Sequence, residues 1–195
     1  MTMKRDQMLH TLARHRSGEV VVAVYRAANE LIHIDPSDLN YTFNAAMGQG
    51  SSAALGIALA RPDRRVVVLD GDGSLLMNLG TLVTIADAAP ANLLHCVCSN
   101  GTYETNGAVP VPGVRRASFA AMALAAGYRD ARRIEGIEEW DAALPGLLAA
   151  EGPVLVDLAV EPGEETWPDD FRALHSTEAR DRFIAALAAS VPLDQ

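Results

Sequence analysis

The sequence is short of basic residues, of cysteine and of long apolar runs, and each shortage narrows what the chain can do. Sixteen Lys and Arg stand against 25 Asp and Glu, which leaves a formal net charge of −9 over 195 residues. An acidic surface repels phosphates, which argues against nucleic acid and anionic membranes as partners. An anionic ligand then needs local compensation from a metal, a helix N-terminus or backbone N–H groups. No apolar run reaches the roughly 18 residues of a membrane span. Met1-Thr2-Met3-Lys4-Arg5-Asp6 has no apolar segment behind its charges, so no signal peptide is expected. Cys96 and Cys98 are the only cysteines. Two positions apart on one strand, their Cα atoms would lie about 6.5 Å apart with parallel side chains, a poor disulfide geometry. Free buried thiols in a reducing cytoplasm are the expectation. His10, His15, His33, His95 and His175 show no metal-ligand spacing. No Ser-His-Asp constellation, internal repeat or low-complexity linker stands out.

What is present is an alternation of strand-like and helix-like segments. Residues 20–24 are a short, unalternating apolar run, as in a strand buried on both faces, and 65–69, 93–98 and 153–160 read as further core strands. Weaker strands are expected at 41–44 and 131–134. Helices are expected at 4–15, 27–33, 51–60, 75–88 with an interruption at Gly80, 118–126 with Ser118 as cap, and 137–149. The segment 51–60, rich in Ala and Leu, reads as a buried helix in close packing. A terminal helix capped by Ser176 carries Phe183, Ile184 and Leu187 on one stripe. Residues 105–114 read as a loop and 161–170 as an acidic connection. The pattern predicts an α/β fold, a mostly parallel sheet between helix layers, in one domain over residues 1–195.

Two turns organise this pattern. Asp70-Gly71-Asp72-Gly73-Ser74 follows one buried strand, and Ser99-Asn100-Gly101 follows the next. Asp72 and Asn100 stand 28 positions apart. That step suits strand, turn, helix, strand, which brings both turns to one edge of a parallel sheet. Glycines let the backbone approach a ligand, and Ser74 with nearby N–H groups can donate to phosphate. Hard oxygen ligands at that edge suit Mg²⁺, which is held by one or two protein oxygens plus phosphate oxygens. An EF-hand fits poorly, because the sixth position from Asp70 is Leu75 and the twelfth is Thr81. Gly48-Gln49-Gly50-Ser51-Ser52-Ala53 fits G-x-G-x-x-A, with Asp70 about 20 residues on, so a dinucleotide-binding oxidoreductase using NAD is the competing reading. A third is a non-catalytic cofactor-binding subunit.

Gly-Asp-Gly-Ser followed by an Asn-Gly turn resembles the thiamine diphosphate signature. The likeness is closest to the small (beta) subunits of sulfopyruvate and phosphonopyruvate decarboxylases, whose stretch Asp-Asn-Gly-X-Tyr-X-Ser-Thr-Gly is matched here by Ser99-Asn100-Gly101-Thr102-Tyr103-Glu104-Thr105-Asn106-Gly107. Ala46-Met47-Gly48-Gln49-Gly50 resembles the family's Met-Gly turn. The resemblance runs from about residue 20 to 160. It implies a thiamine diphosphate-binding fold, with Mg²⁺ held by Asp72, Asn100 and the carbonyl of Thr102. It also implies that Gly71, Gly73, Ser74, Leu75, Gly101 and Tyr103 wrap the diphosphate. Met47 would support the bent cofactor, and the Ala45 carbonyl would accept from its aminopyrimidine. The implied reaction is decarboxylation of a small 2-oxo acid. The activating glutamate would come from a pyrimidine-binding partner subunit in a hetero-oligomer of two and two or larger, in which this domain also associates with itself. Glu30 and Glu104 are expected to be solvated or partner-facing, and the chain by itself inactive. Thr105-Asn106-Gly107 and the following Ala108-Val109 depart from the family's Ser-Thr-Gly and its polar sequel. A carboligase of the acetohydroxyacid synthase kind is therefore the alternative within the family.

Overall fold

A computed structural model describes residues 3–113 and 116–189. Met1 and Thr2 of the N-terminal reading, and Val114 at the end of the expected loop, lie outside the described residues. The elements run β1 (Met3–Lys4), α1 (Arg5–His15), β2 (Val20–Val24), α2 (Tyr25–Ile34), β3 (Asn40–Phe43), α3 (Gly50–Ala60), β4 (Val66–Gly71), α4 (Asp72–Met77) and α5 (Thr81–Ala88). They continue with β5 (Leu93–Ser99), β6 (Thr102–Tyr103), β7 (Val109–Pro110), α6 (Phe119–Ala126), β8 (Asp130–Ile134), α7 (Ile137–Ala149), β9 (Val154–Glu161), α8 (Phe171–His175) and α9 (Thr177–Ala189).

Seven strands form one parallel sheet in the order β1-β9-β5-β4-β2-β3, with β8 also paired to β9. The middle strands are β-branched because both faces are covered. Along β2 and β4 alternate side chains enter opposite cores. Val21, Val67 and Cys96 pack with α1, α2 and α7, while Val20, Val66 and Val97 pack with α3, α5 and α6. Trp140 of α7 is fully buried, and its indole N–H donates to the Met8 carbonyl at 3.1 Å, which ties α7 to α1. Cys96 and Cys98 are buried free thiols facing the same core, as their spacing predicts. No helix among the described residues is long and apolar enough to cross a membrane.

Several local expectations hold for stated physical reasons. Ser118 Oγ accepts from Ala121 N at 3.2 Å, and Ser176 Oγ from Ala179 N at 3.0 Å, each serving an N–H that the helix leaves unpaired. The helix expected at 75–88 is broken at 78–80 into α4 and α5. Others are corrected. There is no separate turn at 70–74, because β4 runs through Gly71 and α4 begins at Asp72. The loop at 105–114 contains a short 3₁₀ turn and β7, which pairs with β6 as a small antiparallel hairpin. The helix at 51–60 is buried on one face only, and Leu59 on its outer face is 55% exposed. In α9, Phe183 enters the core beside Tyr41, but Ile184, one residue on, turns 100° away and is exposed. β1 was not expected; its two residues pair with Val160 and Glu161 at the end of β9.

Candidate functional site

The parallel register sets Asp70 beside Val97 and Gly71 beside Cys98. Both strands therefore end at the same sheet edge, and Asp72 and Asn100 emerge next to each other. From the β4 side Gly71, Asp72, Gly73 and Ser74 line a cleft there, and from the β5 side Asn100, Thr102 and Tyr103 line it. Met47 comes in from the loop before α3. Gly101 lines an adjoining cleft together with Asp72, Asn100 and Asp157. Leu75 is buried in the core behind α4, and Ala45 lines neither cleft.

The Asp72 carboxylate is 4% exposed. One oxygen accepts from Gly73 N at 2.8 Å and the other from Gly101 N at 2.7 Å, so it joins the start of α4 to the turn after β5. Burial pushes its pKa up, against the pull of those two N–H groups, and the nearby Asp157 charge raises it further. No side-chain cation pairs with it among the described residues. A buried carboxylate held only by neutral donors is costly unless a cation joins it. Asn100 presents a fixed amide: its Oδ1 accepts from Thr102 N at 2.8 Å and its Nδ2 donates to the Glu104 carboxylate at 2.9 Å. A carboxylate and an amide oxygen lining one cleft are hard-oxygen donors of the kind that fits Mg²⁺.

The rest of the cleft is tightly set. Ser74 Oγ accepts from Gly48 N at 3.0 Å, and Asn78 Nδ2 donates to the Gly48 carbonyl at 3.1 Å. Gly48 has φ +84°, and a Cβ there would meet Asn78 Cβ at 3.1 Å. A Cβ on Gly73 would lie 2.5 Å from Tyr103 Cε1, so only glycine allows this ring against α4. Tyr25 opens α2 at φ +52°, a strained value for a bulky residue. Burial raises the pKa of its phenol, against an opposing pull from the Met47 backbone. Deeper, His95 is fully buried, with Nδ1 3.1 Å from Tyr128 Oη and Nε2 3.7 Å from Asp70 Oδ2. Asp70 is 1% exposed and packed against His95, and the strand before Gly48 is the sheet edge β3, which ends at Phe43. Neither feature matches a ribose ligand or a strand feeding a dinucleotide loop.

Sequence reasoning missed Arg5, Tyr25 and Arg26, which line the cleft, and expected a solvated or partner-facing Glu30 where the side chain is buried. Glu30 is 6% exposed, and both glutamates are held by the buried Arg5. Arg5 and Glu104 are 99 positions apart, and no local pattern connects them.

A parallel sheet with a carboxylate and an amide at the ends of adjacent strands, clamped against a Met-Gly turn, defines an α/β domain whose cleft suits a phosphate-bearing cofactor. Comparison with known proteins agrees. Residues 18–158 match the family described as thiamine pyrophosphate enzyme, C-terminal TPP binding domain, and the chain belongs to that family. It is 40% identical over 152 residues to a phosphonopyruvate decarboxylase of Streptomyces viridochromogenes, covering 76% of this chain and 37% of that protein. It is 37% identical over 185 residues to the sulfopyruvate decarboxylase subunit beta of Methanothermobacter thermautotrophicus, covering 94% of this chain and 95% of that one. The chain thus spans little more than a third of the phosphonopyruvate decarboxylase but nearly all of the beta subunit. A thiamine diphosphate-dependent 4-hydroxybenzoylformate decarboxylase of Rhodococcus jostii superposes with a TM-score of 0.68 at 22% identity, over 84% of this chain and 34% of that one. At that identity the likeness is one of fold.

Proposed function

We propose that this chain is the diphosphate- and magnesium-binding subunit of a two-component 2-oxo acid decarboxylase that uses thiamine diphosphate. The observation that carries the reading is the buried Asp72 carboxylate, which joins the start of α4 to the turn after β5 and pairs with no side-chain cation among the described residues. Asp72, Asn100 and the Thr102 carbonyl would hold Mg²⁺. Gly71, Gly73, Ser74, Leu75, Gly101 and Tyr103 would enclose the diphosphate. Met47 would support the rings, and Ala45 would offer its carbonyl to the aminopyrimidine. When bound, the cofactor supplies an electron sink for the carbanion left by loss of carbon dioxide. The chain's own part would be to hold the metal that offsets the diphosphate charge and to fix the cofactor's position in the cleft.

Nearly full-length similarity to a protein named a beta subunit supports a hetero-oligomer with a pyrimidine-binding partner. The glutamates of the cleft support it too: Glu30 and Glu104 are both committed to Arg5, so neither is free to activate the cofactor. The activating glutamate is then the partner's, and the chain by itself does not turn over. Two free buried thiols suit a cytoplasmic complex.

Calorimetric titration with thiamine diphosphate, with Mg²⁺ and then with EDTA, tests the site, with NAD as the competing ligand. Magnesium-dependent binding that Asp72→Ala abolishes is expected. Binding of NAD in its place, or binding of thiamine diphosphate unaffected by EDTA and by Asp72→Ala, overturns the reading.

A further inference from the structure

Arg5 is 3% exposed, and three of its nitrogens serve two carboxylates. Nε and Nη2 donate to Glu30 at 3.0 and 2.6 Å, and Nη1 and Nη2 donate to Glu104 at 2.7 and 3.1 Å. The second carboxylate does further work. Glu104 Oε2 accepts from Asn100 Nδ2 at 2.9 Å, while Asn100 Oδ1 accepts from Thr102 N at 2.8 Å and lies 3.3 Å from Thr102 Oγ1. The oxygen and nitrogen of an amide are distinguished by their partners. A carboxylate, which accepts only, on one side and an N–H on the other allow Asn100 one orientation: nitrogen toward Glu104, oxygen toward the β5 turn.

We infer that Arg5 is a positioning residue for the cation site, acting through Glu104 to keep the oxygen of Asn100 presented to the metal. The inference rests on the proposed function, in which Asn100 is a metal ligand. Arg5 reaches the cleft from outside the family-matched stretch, which begins at residue 18. It is placed there by β1, whose Met3 is fully buried and pairs with Val160. Glu104 sits on a short 3₁₀ turn, a backbone with little intrinsic rigidity. The two-pronged grip of a guanidinium on a carboxylate supplies the missing rigidity. Outer groups that orient a ligand typically change metal affinity by about 10–100-fold when removed.

A merely structural Arg5 and a simple charge effect both predict something different. Removing Arg5 adds net negative charge beside the cleft, which by Coulomb's law tightens a divalent cation; loss of positioning loosens it. Glu104→Ala and Glu104→Gln remove the same charge, but only Gln keeps a carbonyl to accept from Asn100 Nδ2. The test is Mn²⁺ binding to the full chain at saturating thiamine diphosphate, with free Mn²⁺ counted by its electron paramagnetic resonance signal and folding followed by circular dichroism. Arg5→Met and Glu104→Ala are expected to weaken Mn²⁺ binding about 10-fold or more, with Glu104→Gln restored to near wild type. If Arg5→Met does not fold, the Ala and Gln variants at Glu104 carry the comparison. Wild-type Mn²⁺ affinity in Glu104→Ala, or equal loss in Glu104→Ala and Glu104→Gln, overturns the relay and leaves the site standing. Absence of Mn²⁺ binding by the wild-type chain both alone and together with its pyrimidine-binding partner overturns the site itself.

Discussion

Ser74 Oγ accepts the backbone N–H of Gly48 at 3.0 Å, which locks the Met47-Gly48 turn to the first turn of α4 across 26 residues of chain. Gly48 is buried, so its N–H has no water to turn to. Ser74→Ala is expected to destabilise the fold by about 1–3 kcal/mol, the cost of an unsatisfied buried donor. For a chain of this length that is a fall in melting temperature of about 2–4 °C per kcal/mol. Urea and thermal denaturation measure it, and a variant as stable as wild type would show that the turn holds without Ser74.

Acid should loosen the N-terminal segment through Asp6. Its carboxylate accepts from Gln7 N at 2.7 Å, Glu164 N at 2.8 Å and Glu165 N at 3.2 Å. Burial pushes its pKa up, but the backbone N–H groups of Glu165, Gln7 and Glu164 outweigh it and leave the group below its ordinary 3.8. A depressed carboxylate stabilises the fold above the unfolded value and loses that contribution as pH falls through the folded value. Asp6→Asn is therefore expected to be less stable than wild type at pH 7, by about 1–3 kcal/mol. The gap should narrow below pH 3.8. Melting curves of both proteins across that range would show a constant gap if Asp6 contributes no pH-linked stability.

The two thiols should be inert in the folded protein. Burial pushes Cys98 up to about 12 and raises Cys96 as well. The thiolate is the reactive form, and a raised pKa keeps each group protonated at pH 8. Titration with a thiol-specific disulfide reagent at pH 8 is expected to label neither residue before denaturant and both after it. Rapid labelling of one thiol in the folded chain would show that the cleft floor at Cys98 opens.

The strand positions were legible because a strand covered on both faces is mostly apolar, and four such runs stand clear of their surroundings. The pairing of Asp72 with Asn100 was legible for a related reason. Once two successive strands are parallel neighbours, the distance along the chain decides that their following turns share an edge. Ile184 shows where such reading stops, since a stripe written as three apolar residues is wider than the groove that receives it. Glu104 shows it more sharply. Its sequence neighbours say surface turn, whereas its environment is set by Arg5, which the pairing of β1 with β9 delivers from the other end of the chain.

The sequence by itself determined the alternation of strand and helix, the shared sheet edge of Asp72 and Asn100, and the hard-oxygen residue types there, because these follow from burial and from local backbone geometry. Only the tertiary structure decided that Asp72 is buried, with backbone N–H groups as its partners among the described residues. It likewise decided that Ser74 clamps Gly48, and that Arg5 and Glu104 close the cleft beside Asn100. Those facts depend on contacts between segments that are far apart along the chain, and the free energy of such contacts exists only once the sheet has ordered its strands.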